Sequence, residues 1–151
     1  MNSHVLCAID LDSFEQRIVD LAASFARTMS AELDIAYVTT VPEINGAQHT
    51  SYSRSLPDIL SNERRLRSVR PADGGIQVNH HHLLGMPRDE LLRLIEESSP
   101  RLVVVGTHGR HGLTRWLLGS VAEHLLRHAP CPVVIVRQSQ TAGLTEKTRI
   151  Q

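Results

Sequence analysis

An α/β domain with a doubly wound, open parallel sheet is the fold class this sequence predicts, and three observations carry it. Strand-like segments and helical periodicities alternate five times between residues 4 and 136. Leu102-Val-Val-Val105 is a continuous apolar run, which reads as a strand buried on both faces. A glycine cluster follows that run directly, and such domains bind ligands beyond the carboxyl ends of their strands at a topological switch point.

Residues 4–10 and 33–39 read as the first two strands. Between them Phe14, Ile18, Leu21, Ala22, Phe25 and Met29 recur at steps of three and four, predicting an amphipathic helix that Asp12 or Ser13 would cap. Residues 42–56 lack periodicity and read as a loop. A second helix is expected over about 57–70, with a thin apolar face of Leu56, Ile59, Leu60, Leu66 and Val69. A strand near 76–84, a helix over about 87–98, the apolar run, a helix opening at Ser120 and a strand near 132–136 complete the pattern. Residues 138–151 are polar and aperiodic, and read as a mobile tail beyond a single domain of residues 1–137.

Four of the nine glycines fall at positions 106, 109, 112 and 119. Glycine there lets main-chain N–H groups approach an anion without an intervening Cβ. The helix expected from Ser120, with Ser120-Val-Ala-Glu123 as a capping box, adds free N–H donors and the positive end of its dipole. A phosphate is the natural ligand, with His108, Arg110 and His111 as side-chain donors close by.

The spacing of Gly106, Gly109, Gly119 and Ser120, which is Gly, two residues, Gly, nine residues, Gly and Ser, resembles the signature of the universal stress protein family. Ser120 to Val136 resembles that family's closing helix and last strand, Val5 to Asp10 its first strand, and Gly85-Met-Pro87 the turn before its third helix. The resemblance implies a strand order of 3-2-1-4-5 and an adenine nucleotide, ATP with Mg²⁺, between the strand ends. By the family match Ile9, Asp10, Val38 and Val105 would hold adenine and ribose, while Gly106, His108, Gly109, Arg110, Gly119, Ser120 and Val121 would hold ribose and phosphates. Asp10 would end strand one and Val38 strand two. Two residues depart from the family pattern. Asp12 adds a second carboxylate, read as a helix cap rather than a pocket group, and Arg101 stands where many members have an aspartate.

Composition narrows the chemistry. The chain holds 15 arginines and one lysine, Lys147, in the polar tail, so no lysine is placed to clamp phosphate as in a P-loop or a protein kinase. No Gly-x-Gly-x-x-Gly follows the first strand, and no motif sets a nucleophile beside an orienting base. The nucleotide therefore reads as a regulatory ligand and the chain as a non-enzyme; a slow ATPase, an adenylyl-transferring enzyme and a nucleotide-independent module of the same fold are the competing readings. A formal net charge of zero gives no argument for nucleic acid or an anionic membrane. With no membrane span and no signal segment, the expected location is cytoplasmic.

Histidines at 80, 81 and 82 would alternate on a strand, so two at most could share a metal site; in the family this is an edge strand, where polar side chains discourage stray pairing. His124 and His128, one helical turn apart, read as a solvated pair near a helix end, and no metal is expected. Trp116 reads as packing rather than a stacking platform. Cys7 and Cys131 lack metal-ligand spacing and are expected to be reduced thiols. The apolar strand Val133–Val136 would be an exposed edge, and family members commonly pair it across a two-fold axis, implying a homodimer.

Overall fold

The computed structural model describes residues 3–12, 14, 16–40, 56–107 and 118–137. Five strands and four helices alternate along the chain: β1 (His4–Ala8), α1 (Gln16–Thr28), β2 (Glu32–Thr40), α2 (Leu56–Ser68), β3 (Val78–Gly85), α3 (Pro87–Ser98), β4 (Leu102–Gly106), α4 (Ser120–His128) and β5 (Val133–Val136). They form one sheet in the order β3-β2-β1-β4-β5, with every neighbouring pair parallel. The chain winds outward from β1 through β2 to β3, then crosses to the other side of β1 for β4. The switch point expected of a doubly wound fold therefore lies between β1 and β4.

Two cores sandwich the sheet. On one face Val5, Cys7, Leu33, Ile35 and Tyr37 meet Ile18, Val19, Ala22, Ala23 and Ala26 of α1 and Leu66 of α2. On the other, Leu6, Ala8, Ala36, Val38, Val103 and Val105 meet Leu91, Leu94 and Ile95 of α3 and Ala122 and Leu125 of α4. The two-residue alternation along each strand explains why β1, β2 and β4 are apolar throughout: both faces are covered. Leu66 is only 1% exposed and anchors α2, contributing about 1.5–3 kcal/mol as a fully buried leucine.

Several local expectations shift. The α1 face centres on Ile18, Val19, Ala22, Ala23 and Ala26, because three alanines let the helix approach the sheet closely, while Phe14 is left exposed. Helix α1 begins at Gln16, which puts Asp12 too far upstream to be its cap; the Asp12 carboxylate lies 3.5 Å from Arg65 of α2. Ser13, the other expected cap, falls outside the described residues, as does most of the loop expected over 42–56. Leu56 and Leu60 of α2 are exposed, so only part of its expected apolar face is used. Strand β1 ends at Ala8 rather than Asp10, and β2 runs on past Val38 to Thr40.

The expected capping box at Ser120 is displaced by one residue. Gly119 is the N-cap of α4, with φ −59° and ψ 148°, its carbonyl accepts from Glu123 N–H at 2.9 Å, and no side chain caps the helix. Ser120 is thus the first helical residue, not the cap.

Both cysteines are free thiols. Burial pushes the Cys7 thiol up to about 12 and raises Cys131 as well, which makes both poor nucleophiles. Among the described residues no helix is long and apolar enough to cross a membrane.

Candidate functional site

An all-parallel sheet brings the carboxyl ends of its strands to one side. Ala8 pairs in register with Ala36 and with Val105, and Gly106 with Val136, so the segments after β1 and β4 leave the sheet side by side. Main-chain bonds carry the strands slightly further: Ile9 N–H donates to Ala36 O at 3.0 Å, and Thr107 N–H donates to Val136 O at 3.0 Å.

The loop after β1 is held from three directions. Leu11 is buried at 6% exposure in the α1 core. Asp12 N–H donates to Asp10 Oδ1 at 3.0 Å, an Asx turn that fixes the Asp10 carboxylate over its own loop. Arg65 of α2 reaches across to donate to Leu11 O at 2.6 Å, with its guanidinium also facing Asp12. Sequence reasoning missed Arg65: nothing local distinguishes it from its neighbour Arg64, and its partners lie 53 and 54 residues away.

The expected site residues divide by face. Val38 and Val105 are buried on the α3–α4 side, and Val121, with Leu118, packs against that same cluster, so the first turn of α4 sits over the sheet beside them. Ile9 packs instead against the α1 core, so main chain rather than side chain is what it can offer a ligand on the α4 side. Gly106 closes β4 against α1: a Cβ there would come within 2.9 Å of Ile18 Cδ1. Asp10 is half-buried, Gly119 caps α4, and Ser120 is exposed at its first turn. His108, Gly109 and Arg110 lie outside the described residues, as do His111 and Trp116.

Arranged in this way, the site offers the N–H donors of a nine-residue helix, α4, and a fixed carboxylate, Asp10, at the end of a neighbouring strand. Such a pairing suits a ligand with an anionic end and a hydrogen-bond-donating end.

The histidine run on β3 serves the fold. His80 and His82 face α2, whereas His81 faces the other way, beside Asp34, as strand alternation requires. His80 Nε2 lies 2.9 Å from Val69 O, and His82 Nε2 lies 2.8 Å from Thr39 Oγ1, itself also bonded by Asn62. Burial pushes His80 below its ordinary pKa, helped by the charges of Arg70 and Arg67 and opposed by the Val69 carbonyl; burial does the same to His82 against the charge of Glu63. Among the described residues no group of three or more His, Cys, Asp or Glu side chains could hold a metal ion.

Asp34, in the middle of β2, is a buried carboxylate that the apolar pattern gives no reason to expect. His81 Nε2 stands 3.4 Å from its Oδ2, Asn79 donates to Oδ1 at 2.9 Å, and His4 Nδ1 is 3.8 Å away. Desolvation raises its pKa, but the contacts with His81 and Asn79 and the charges of His81 and His4 outweigh it and hold the carboxyl below its ordinary value. At 3.4 Å and without good hydrogen-bond geometry, the His81 contact falls short of a well-formed hydrogen bond.

Comparison with known proteins places this arrangement among relatives. The chain matches the universal stress protein family over residues 1–137. It is 33% identical over 138 residues to universal stress protein A homolog 1 of Coxiella burnetii, covering 88% of this chain and 94% of that one. It is 31% identical over 121 residues to a universal stress protein of Methanocaldococcus jannaschii, covering 78% of this chain and 71% of the relative. Among solved structures, a universal stress protein in complex with cAMP superposes with a TM-score of 0.68 at 26% identity, covering 91% and 98% of the two chains. One from Archaeoglobus fulgidus superposes with a TM-score of 0.71 at 19% identity, covering 89% and 98%, and shares the fold.

Proposed function

The chain belongs to the universal stress protein family, and we propose that it binds ATP, with Mg²⁺, at the strand ends and works as a nucleotide-dependent dimeric stress-response module. The observation that carries this reading is the placement of the α4 N-terminus and Gly119 over the same sheet face as Val38 and Val105, beside the switch point between β1 and β4. The relative solved with cAMP supports an adenine nucleotide as the ligand class.

In this reading Asp10 accepts from a ribose hydroxyl or the adenine amino group, main chain at Ile9 and the edges of Val38 and Val105 border the base, and Gly106, Gly119, Ser120 and Val121 face ribose and phosphates with His108, Gly109 and Arg110. A helix N-terminus stabilises anionic phosphate through its free N–H groups and its dipole. Residues 1–137 form the binding domain and 138–151 an appended tail, and the protein acts in the cytoplasm.

Turnover is not what this site is built for. The chain's one lysine is Lys147, so no lysine clamps phosphate beside the strand ends, and Asp10, the carboxylate described at the site, is already engaged by the Asp12 main chain; both support slow turnover. Hydrolysis should proceed at about once per minute or slower, against the roughly 1–10³ s⁻¹ typical of enzymes. Dimerisation through the β5 edge would pair Val133–Val136 with its two-fold mate. Pro132 O and Val136 O accept from Val103 and Thr107 N–H, so Val133 and Ile135 are the residues whose N–H groups face away from β4. Ile135→Pro, which removes an outward donor, should weaken association measured by sedimentation. The test of the whole reading is the nucleotide content of freshly purified protein together with a steady-state ATPase assay. Bound adenine nucleotide with negligible turnover is expected; several ATP consumed per second would replace the module with an enzyme.

A further inference from the structure

Helix α4 carries a pair of imidazoles that the nucleotide site does not use. The rings of His124 and His128 stand one turn apart with centroids 4.4 Å from each other and planes inclined by 31°. His128 Nδ1 lies 2.9 Å from the main-chain carbonyl of His124. A carbonyl can only accept, so Nδ1 of His128 holds a proton, and in the neutral imidazole its Nε2 is the nitrogen with the lone pair. His124 Nε2 is shielded from solvent and has no hydrogen-bond partner among the described residues.

We propose that His124 and His128 form a two-point chelate for a divalent transition ion, Cu²⁺ above Ni²⁺ and Zn²⁺, through their Nε2 atoms. Residues four apart share a helix face, and a metal bound to two imidazoles at about 2.0–2.1 Å needs their nitrogens about 3–4 Å apart, within reach of rings this close. Imidazole suits these ions, and Cu²⁺ leads the affinity order for a given nitrogen site. The tautomer of His128 is already the ligating one, fixed by the carbonyl behind it, which is the usual role of a partner to a ligating histidine. Exposure of His128 gives the ion a way in. Glu123 and Arg127, the nearest charges on the helix, pair with each other at 3.0 Å and leave no net repulsion. With no third ligating side chain among the described residues, the remaining positions belong to water, so the ion is exchangeable rather than structural. Binding would clamp the last turn of the helix whose first turn faces the nucleotide site.

Titration of Cu²⁺ into the full chain by calorimetry, with parent, His124→Ala, His128→Ala and a His80→Ala/His82→Ala control, tests the assignment among the nine histidines. The parent and the β3 control should each bind one equivalent that either α4 variant loses or binds at least tenfold more weakly. Electron paramagnetic resonance at one equivalent should show two imidazole nitrogens in the parent and one in each α4 variant. Circular dichroism of the metal-free variants checks that α4 remains folded. Identical isotherms for the parent and both α4 variants, or loss of the equivalent in the β3 control alone, would overturn the proposal.

Discussion

Gly85, the last residue of β3, combines a left-handed-side φ with a crowded Cβ position, a pairing that no other glycine in the described strands shows. Its φ is +144°, a region that residues with a Cβ rarely adopt, and a Cβ built there comes within 2.9 Å of Glu90 Cγ, where carbon atoms settle at about 3.5–4.0 Å. Gly85→Ala therefore meets two costs. Backbone strain of this kind is about 1–3 kcal/mol. The steric part is smaller, because the Glu90 side chain can swing away at the expense of its solvent-screened ion pair with Arg93 (2.7 Å). A loss of about 2 kcal/mol should lower the thermal midpoint by about 4–8 °C for a chain of this length. Thermal unfolding of Gly85→Ala in the parent and in a Glu90→Ala background separates the two: the strain persists in both, and only the small steric part is relieved. A Gly85→Ala midpoint within about 1 °C of the parent, or complete rescue by Glu90→Ala, would refute the backbone argument.

Other outcomes follow from particular contacts. Ser99, the C-cap of α3, sits in the left-handed region with φ 50° and ψ 57°, so Ser99→Gly should stabilise by about 0.5–1 kcal/mol, a rise of about 1–4 °C in the same assay. Arg65→Met removes the guanidinium that holds Leu11 O at 2.6 Å; because its side chain is 47% exposed the bond is worth about 1 kcal/mol, and ATP should bind up to about fivefold more weakly by calorimetry while Arg64→Met changes nothing. His80 and His82 have pKa values lowered by burial, so the unfolded chain takes up protons more readily: their contribution is full above the ordinary value of about 6.5 and falls as pH drops below it. Midpoints measured from pH 7.5 to 5 should decline, and His80→Asn/His82→Asn should flatten that decline. Asp34, also lowered, acts in a separate window, losing its contribution only as pH falls below about 4.

The architecture was legible wherever local pattern and tertiary demand coincide. Leu102–Val105 could only be a strand covered on both faces, and it is the neighbour of β1 at the switch point. The alternation of His80, His81 and His82 was also readable, since a strand must turn successive side chains to opposite faces, and β3 is the sheet edge where such polarity is tolerated. What failed to show was long-range. Asp34 lies within the apolar stretch of β2 because His4, Asn79 and His81, distant in sequence, close around it. Arg65 looked like one more solvated charge on α2, yet it fixes the loop that carries Asp10. The Ser-x-x-Glu pattern at Ser120 named the right helix and the wrong cap, since it is Gly119, in extended backbone, whose carbonyl receives the Glu123 N–H.

Equilibrium binding of ATP·Mg²⁺ to the parent and to Gly119→Val tests the central claim most directly. Gly119 has φ −59° and ψ 148°, ordinary for any residue, so valine leaves the backbone and the fold in place and changes only the approach of phosphate to the first N–H groups of α4. Calorimetry should find saturable binding to the parent and at least a hundredfold weaker binding to the variant, whose metal-free and nucleotide-free midpoint stays near that of the parent. Equal affinities in the two proteins, or no binding of any adenine nucleotide to the parent, would contradict a phosphate site at the α4 N-terminus.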